Sequence, residues 1–229
     1  VDIIATCFPE VAKDFAKYPD KIRLTGNPRG QEVIQSKKND MILEEQFGLK
    51  SNLPTILVFG GSRGAPAIND AALHAIKNWS GKNYQVVIAT GTIHYESFLT
   101  LMSKRGMTLP DNVKLVPYID NMPAVFQAID LVICRSGATT LTELTALGLP
   151  SILIPSPFVT NNHQESNALS LVNHGAAEMI KQADLSGDRL FEMVDGIIQS
   201  DTRLSDMKRA AFDLGITDAS DRLIKEIET

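Results

Sequence analysis

Residues 55–69 read TILVFGGSRGAPAIN, and their order sets the fold. Thr55–Phe59 form an apolar run with no polar alternation, the pattern of a strand buried on both faces. Gly60, Gly61 and Gly64 then surround Ser62 and Arg63, and helical spacing follows with Ile68, Leu73 and Ile76 on one side. Strand, glycine-rich turn and helix make the repeating unit of a parallel sheet covered by helices. The same alternation extends outward from this unit. Strands are expected at Ile22–Thr25, Thr55–Phe59, Gln85–Ala89, Val113–Val116, Leu131–Cys134, Ser151–Ile154 and Ala177–Ile180. Helices are expected at Ala65–Trp79, His94–Lys104, Asn121–Ile129, Thr139–Leu147 and Gln164–His174. The sum is an α/β fold built on a doubly wound parallel sheet. The ends differ from this pattern. Residues 1–25 read as a helix or loop around FPEVAKDF followed by a strand. TGNPRG, residues 25–30, reads as a linker, because Pro28 and the two glycines continue neither element. Beyond Lys181 the chain reads as helical, with breaks near Gly187 and Gly215.

Composition limits the function classes. At roughly 150 residues per domain, 229 residues hold one domain or two small ones. Hydrophobic residues make up 44% and charged residues 21%, which excludes a disordered tail, a collagen-like rod and a coiled coil. The net charge is −5 and no Lys/Arg-rich block gathers positive charge, so no nucleic-acid partner is expected. Cys7 and Cys134 stand far apart and imply no disulfide framework, which fits a reducing compartment. Every apolar run is cut by Pro or Gly well short of the roughly 18 residues that span a membrane. The chain opens at Val1 without a signal-peptide pattern and is expected to be a processed protein or a piece of a longer one.

Three segments carry the residue types of a binding site. In Val58–Asn69, glycines let the backbone turn sharply and leave amide groups at a helix start facing an anion, with the Ser62 hydroxyl beside them. A tight turn without a ligand is the structural alternative. The Gly-x-Gly-x-x-Gly dinucleotide fingerprint is absent. In Ile133–Pro150, a second helix start follows a strand at Ser136-Gly137, with Leu141, Leu144 and Leu147 as its apolar stripe and Thr139 and Glu143 on its flank. A carboxylate there suits the two hydroxyls of a ribose, while a solvated Glu is the alternative. In Ile154–Ala168, Asn161, Asn162, His163 and Gln164 supply donors and acceptors for sugar hydroxyls, or else a polar loop with an Asn helix cap. The four His residues have no carboxylate or Cys at ligand spacing, and Asp-x-Asp does not occur, so no metal site is expected.

Taken together, FGGSRGAPAIN, YIDNMP, CRSGATTLTELTALGLPSILIPSPFVTNNHQESNA and TGNP closely resemble the MurG-type glycosyltransferases. These transfer N-acetylglucosamine from its UDP donor to lipid I, giving lipid II. The resemblance runs from about Ile22 to the C-terminus. It implies the Rossmann-like C-terminal, donor-binding half of a two-domain GT-B enzyme at residues 26–229, with residues 1–25 as the tail of the N-terminal acceptor domain. It implies Ser62, with Gly61 and Gly64, at the donor diphosphate, and the Ile119 backbone at the uracil edge. Ala138, Thr139 and Thr140 would face phosphate and ribose, with Glu143 as the ribose carboxylate and Gln164 against N-acetylglucosamine. His163 stands where some members carry another glutamine. At the linker, Arg29 comes one place early and Gly30 takes the expected Arg position, so no donor contact is carried over to Arg29. No cofactor and no metal are implied, and no catalytic residue falls in this chain, because the lipid I acceptor and the membrane surface belong to the other domain. The parent would sit peripherally on the cytoplasmic face of the bacterial plasma membrane, this piece being soluble. Two alternatives are a UDP-sugar epimerase of the same architecture and a separate donor-binding subunit needing a membrane-bound partner chain.

Overall fold

The computed structural model describes residues 1–228, the side chains of Glu10 and Asn161 excepted. Two sheets are present. Strands β1 (Ile4–Thr6) and β2 (Ile22–Leu24) pair in parallel, Ile4 opposite Ile22, on either side of a 3-10 turn at Pro9–Phe15. Helices α1 (Pro28–Gln35) and α2 (Ile42–Phe47) then lead to the main sheet. There β3 (Thr55–Phe59), α3 (Pro66–Trp79), β4 (Gln85–Ala89), α4 (Thr92–Lys104), β5 (Val113–Val116) and α5 (Met122–Phe126) alternate, and β6 (Leu131–Cys134), α6 (Ala138–Ala146), β7 (Ser151–Leu153), α7 (His163–Val172) and β8 (Ala177–Met179) continue the pattern. Helices α8 (Gly187–Ile198), α9 (Asp201–Leu214) and α10 (Ala219–Glu228) close the chain.

All six main strands are parallel, in the order β5-β4-β3-β6-β7-β8. The chain winds outward from β3 to β5, crosses back to β6, and winds outward again to β8. Its direction reverses between β3 and β6, where Ile56, Leu57 and Val58 lie opposite Leu131, Val132 and Ile133. In such sheets ligands gather outside the carboxyl ends of the strands at this reversal. The turns leaving β3 and β6 are Gly60–Ala65 and Arg135–Gly137, two of the three segments singled out in the sequence.

The unalternating strands have a simple cause: both faces are covered. Leu57, Val87 and Val132 pack with Phe126, Leu141 and Leu144 on one side. Ile56, Val58, Ile88 and Ile133 pack with Ile68, Leu73, Trp79, Leu190 and Val194 on the other. Each such side chain contributes about 1.5–3 kcal/mol through burial. The strands therefore stand within a residue of expectation.

Two expectations need correction. The supposed linker at residues 25–30 contains the start of α1. Asn27 caps it, Oδ1 accepting from Arg29 N at 3.0 Å, and Pro28 occupies the first helical position, where a missing N–H costs no hydrogen bond. Gly30 then lets α1 lie against α6: a Cβ there would come within 2.9 Å of Thr142 Cγ2. The N-terminal segment also contains strand β1, whose three residues are too few to declare a period. The breaks at Gly187 and Gly215 fall where α8 begins and α9 ends.

Candidate functional site

The turn after β3 is a glycine conformation first and a site second. Gly61 and Gly64 have φ of 91° and 75°, the left-handed region that side chains disfavour. A Cβ on Gly64 would collide with the Thr90 carbonyl oxygen at the end of β4, so this turn is seated directly on the neighbouring strand end. No side chain caps α3, and Pro66 supplies no N–H, so the amides of Ala67 and Ile68 in its first turn have no intrahelical partner. Ser62 stands exposed at the tip of the turn. The arrangement presents donors and the positive end of a helix dipole to the space above β3.

The turn after β6 offers a second helix start. Gly137 is the N-cap of α6 and no side chain caps it, leaving the amides of Ala138, Thr139 and Thr140 open. Thr139 is exposed, and Ala138 and Thr140 are half-buried. Because β3 and β6 are neighbours, the starts of α3 and α6 stand side by side. Ile119 follows β5, two strands from β3, hence about 10 Å further along the edge. Its side chain is buried in the core, and its backbone N–H and C=O take no partner among the described residues.

Glu143 lies on the same flank of α6 as Thr139, and it is not the solvated Glu of the alternative reading: its side chain is only 10% exposed, with α1 packed against α6. Leu147, read as the end of the apolar stripe, is the less buried residue. Arg29 Nη2 and Nε donate to Glu143 Oε1 at 2.8 and 3.1 Å, and Arg29 Nη1 pairs with Glu32 Oε2 at 2.7 Å. Glu143 Oε2 accepts nothing from the described residues. Burial pushes the Glu143 carboxyl above its ordinary range; the Arg29 hydrogen bond and charge pull it back, and Glu32 adds to the rise. The hydrogen bond to Glu143 chiefly holds the Arg29 guanidinium above its own ordinary value. Arg29 remains 42% exposed, so its pull is screened and desolvation of the carboxylate prevails.

In the third segment, Gln164 is tied at both ends of its residue. Its backbone oxygen accepts from Ser136 Oγ at 2.7 Å and its Oε1 from Ser156 N at 2.9 Å. Asn162 caps nothing by side chain. It holds a left-handed φ of 50° and donates from Nδ2 to Glu165 Oε2 at 2.6 Å. The Asn161 side chain lies outside the described residues. His163 is exposed, its Nδ1 fixed 2.8 Å from the Thr160 carbonyl, which makes Nδ1 the protonated nitrogen. A cavity of about 790 Å³ between α7 and the Pro9–Phe15 turn takes in His163, but none of Ser62, Ile119, Glu143 or Gln164. Asn162 lines the same cavity. Sequence reasoning missed Arg29, Ser136, Ser156 and Asn167; no local spacing signals partners this far apart. Among the described residues, no three His, Cys, Asp or Glu come together as metal ligands, and no helix is long and apolar enough to cross a membrane.

A doubly wound sheet with two open helix starts at its reversal has the architecture of nucleotide-binding α/β domains. Residues 55–223 match the glycosyltransferase family 28 C-terminal domain, and the chain belongs to that family. It is 47% identical over 225 residues, 98% of its length, to the UDP-N-acetylglucosamine–N-acetylmuramyl-(pentapeptide) pyrophosphoryl-undecaprenol N-acetylglucosamine transferase of Bacillus cytotoxicus. It spans 60% of that relative's length. Among solved structures, MurG of Acinetobacter baumannii matches with a TM-score of 0.77 at 23% identity, covering 100% of this chain and 60% of that one. The UDP-GlcNAc 2-epimerase of Neisseria meningitidis bound to UDP-GlcNAc matches with a TM-score of 0.72 at 15% identity, covering 99% of this chain and 61% of that one. These likenesses establish the shared fold, and their near-equal scores show that fold alone does not separate transferase from epimerase.

Proposed function

We propose that this chain binds UDP-N-acetylglucosamine as the donor half of the transferase that adds N-acetylglucosamine to lipid I, giving lipid II. The observation that carries the reading is the pair of uncapped helix starts, α3 and α6, side by side at the sheet reversal with a carboxylate behind one of them. Their amides and the Ser62 hydroxyl receive the diphosphate, and the Ile119 backbone meets the uracil edge. Glu143 Oε2 accepts from the ribose, and Gln164 meets the sugar. The bond broken joins the anomeric carbon to the β-phosphate oxygen, and the acceptor hydroxyl attacks from the opposite side. This chain's share of the chemistry is to stabilise the negative charge growing on the departing UDP, which preorganised amides and helix dipoles do without a metal. The isolated β1–β2 pair, which shares no strand with the main sheet, supports reading residues 1–25 as the end of a preceding domain. That domain would bind the acceptor and rest on the cytoplasmic face of the membrane.

Relatedness at 47% to a named transferase favours transfer over epimerisation, for which the likeness is one of fold at 15%. Calorimetry with UDP and UDP-N-acetylglucosamine, with and without EDTA, tests the donor site. Binding unchanged by EDTA is expected; no binding, or binding only with divalent metal, rejects the site. Formation of a 2-epimer from UDP-N-acetylglucosamine by the full-length protein would instead favour the isomerase.

A further inference from the structure

Gln164 sits in a closed ring of hydrogen bonds that no part of the donor reading requires. Arg135 and Ser136 leave the end of β6 together and hold two other segments. Arg135 Nη1 donates to the carbonyls of Ile154 and Pro155 at 3.0 and 3.1 Å, and Nη2 to Gln182 Oε1 at 2.6 Å. That fixes the backbone just before Ser156, whose N–H donates to Gln164 Oε1. Ser136, fully buried, donates its hydroxyl to the Gln164 carbonyl, and Asn167 Nδ2 donates to the Ser136 carbonyl at 3.1 Å. Residues 135–136, 154–156 and 164–167 are thereby locked into one unit, which also contains the start of α6.

The Ser156 N–H decides which way the Gln164 amide faces, and the Ser136 and Asn167 bonds hold the Gln164 backbone where that N–H reaches it. A backbone N–H bonds only to an acceptor, so the atom beside Ser156 is the oxygen, and the amide nitrogen is left outward. Both N–H groups of Gln164 Nε2 lack an acceptor among the described residues. The side chain therefore offers donors and nothing else. A glutamine free to flip would offer either face and read no particular atom.

We propose that Ser136 and Asn167 are positioning residues for sugar recognition: they hold Gln164 with its amide N–H groups outward, so the donor sugar is read by an acceptor oxygen, a hydroxyl or acetamido carbonyl. This rests on the proposed placement of Gln164 against the sugar. It adds that the selectivity of that contact is set 28 residues away, at the start of the phosphate-facing helix. The sugar subsite and the diphosphate subsite are consequently one rigid piece. Such preorganisation favours a ligand by removing the cost of ordering the contact on binding.

The test is the ratio of UDP-N-acetylglucosamine affinity to UDP affinity, measured by calorimetry on the full natural protein and on Ser136→Ala, Asn167→Ala and the double variant. Each single variant is expected to lower the ratio about fivefold, with UDP affinity within about twofold of wild type, as loss of one neutral hydrogen bond implies. Both act through the same glutamine, so the double variant is expected to match the larger single effect rather than their product. Equal losses for both ligands would mean a merely structural role and overturn the proposal, as would an unchanged ratio. Asn167 lies on the partly exposed side of α7, so Asn167→Ala decides the matter if Ser136→Ala fails to fold. Wild type that fails to bind UDP rejects the donor reading itself. Wild type that binds UDP, with Gln164→Ala leaving the ratio unchanged, keeps that reading and removes this inference alone.

Discussion

Two strand–turn–helix units flank the sheet reversal, and they solve the same problem in opposite ways. The unit at β3 is built from backbone: glycines in left-handed conformations, an exposed serine, and a turn pressed against the end of β4. The unit at β6 is built from side chains: a buried Ser136, an Arg135 reaching three acceptors, and a Glu143 paired across to α1. The first is specified within a dozen residues of sequence. The second depends on partners as far as 114 residues away. Glycine content therefore marks the first in full, while the second shows its helix start in the sequence but not the distant partners that hold it.

The largest expected effect bounds the comparison itself. In the proposed reading both units serve the donor, and transfer also needs the acceptor hydroxyl held in line with the anomeric carbon, an orientation that accounts for about 7–11 kcal/mol of barrier. These 229 residues alone are expected to give no detectable transfer to lipid I in a radiolabelled-donor assay. Robust transfer would show that the two units are not merely half of an enzyme.

The next effect separates backbone from side-chain construction. Gly64→Ala is expected to cost about 2–3 kcal/mol of stability, from a left-handed φ and a collision with the Thr90 carbonyl. Gly137→Ala meets open space at a φ of −70° and is expected to change stability by less than about 0.5 kcal/mol. Denaturant unfolding compares them, and similar costs would erase the distinction. Function is expected to sort the other way. Hydrogen bonds to a charged group contribute about 1.5–3 kcal/mol, so Glu143→Ala is expected to weaken UDP binding roughly ten- to a hundredfold. Exposed, neutral Ser62→Ala is expected to cost no more than about tenfold. Glu143→Ala also takes from Arg29 one of its two carboxylate partners, leaving Glu32, and is expected to cost no more than about 1 kcal/mol of stability, whereas Ser62→Ala is expected to leave stability unchanged. Calorimetry and denaturant unfolding on the two variants test the order.

That stability cost shows where the sequence stops being legible. The strands were readable because sheet burial leaves a local trace: Thr55–Phe59 and Leu131–Cys134 are apolar without a break, and the structure has the same bounds. Helix α1 is not legible because Pro28 reads as a breaker, whereas at a first helical position it is a starter. With α1 unread, the sequence of α6 leaves Glu143 open between a ribose carboxylate and a solvated flank, and the cover of a second helix is not visible in it. Burial of a polar residue follows from what packs on it, which the helix's own periodicity does not contain. The proposed donor residues Ser62, Ile119, Ala138 to Thr140 and Gln164 follow strands at one end of the sheet, but nothing local indicated that Gln164 would be held by Ser136.

The smallest expected effect is also the sharpest for the β6 unit, because pH moves stability and affinity in opposite directions there. Burial raises the Glu143 pKa in the folded chain above its unfolded value. The folded state thus holds the proton to higher pH, and the stability this contributes is full below the unfolded pKa and is lost as pH rises through the folded one. In the proposed reading ribose hydroxyls donate to the ionised carboxylate, so donor affinity is expected to rise over that same interval. Arg29 and Glu32, both on α1, are the charged groups set against Glu143, and they pull oppositely. Arg29→Met is therefore expected to move the affinity limb to higher pH, since burial and Glu32 are then unopposed. Glu143→Gln is expected to abolish the limb. UDP-N-acetylglucosamine is the ligand to titrate, because both of its phosphates are diesters and keep their charge throughout. A limb that survives Glu143→Gln, or that Arg29→Met leaves in place, would break the link between α1 and the ribose contact, and the β6 unit would then work by its helix start alone.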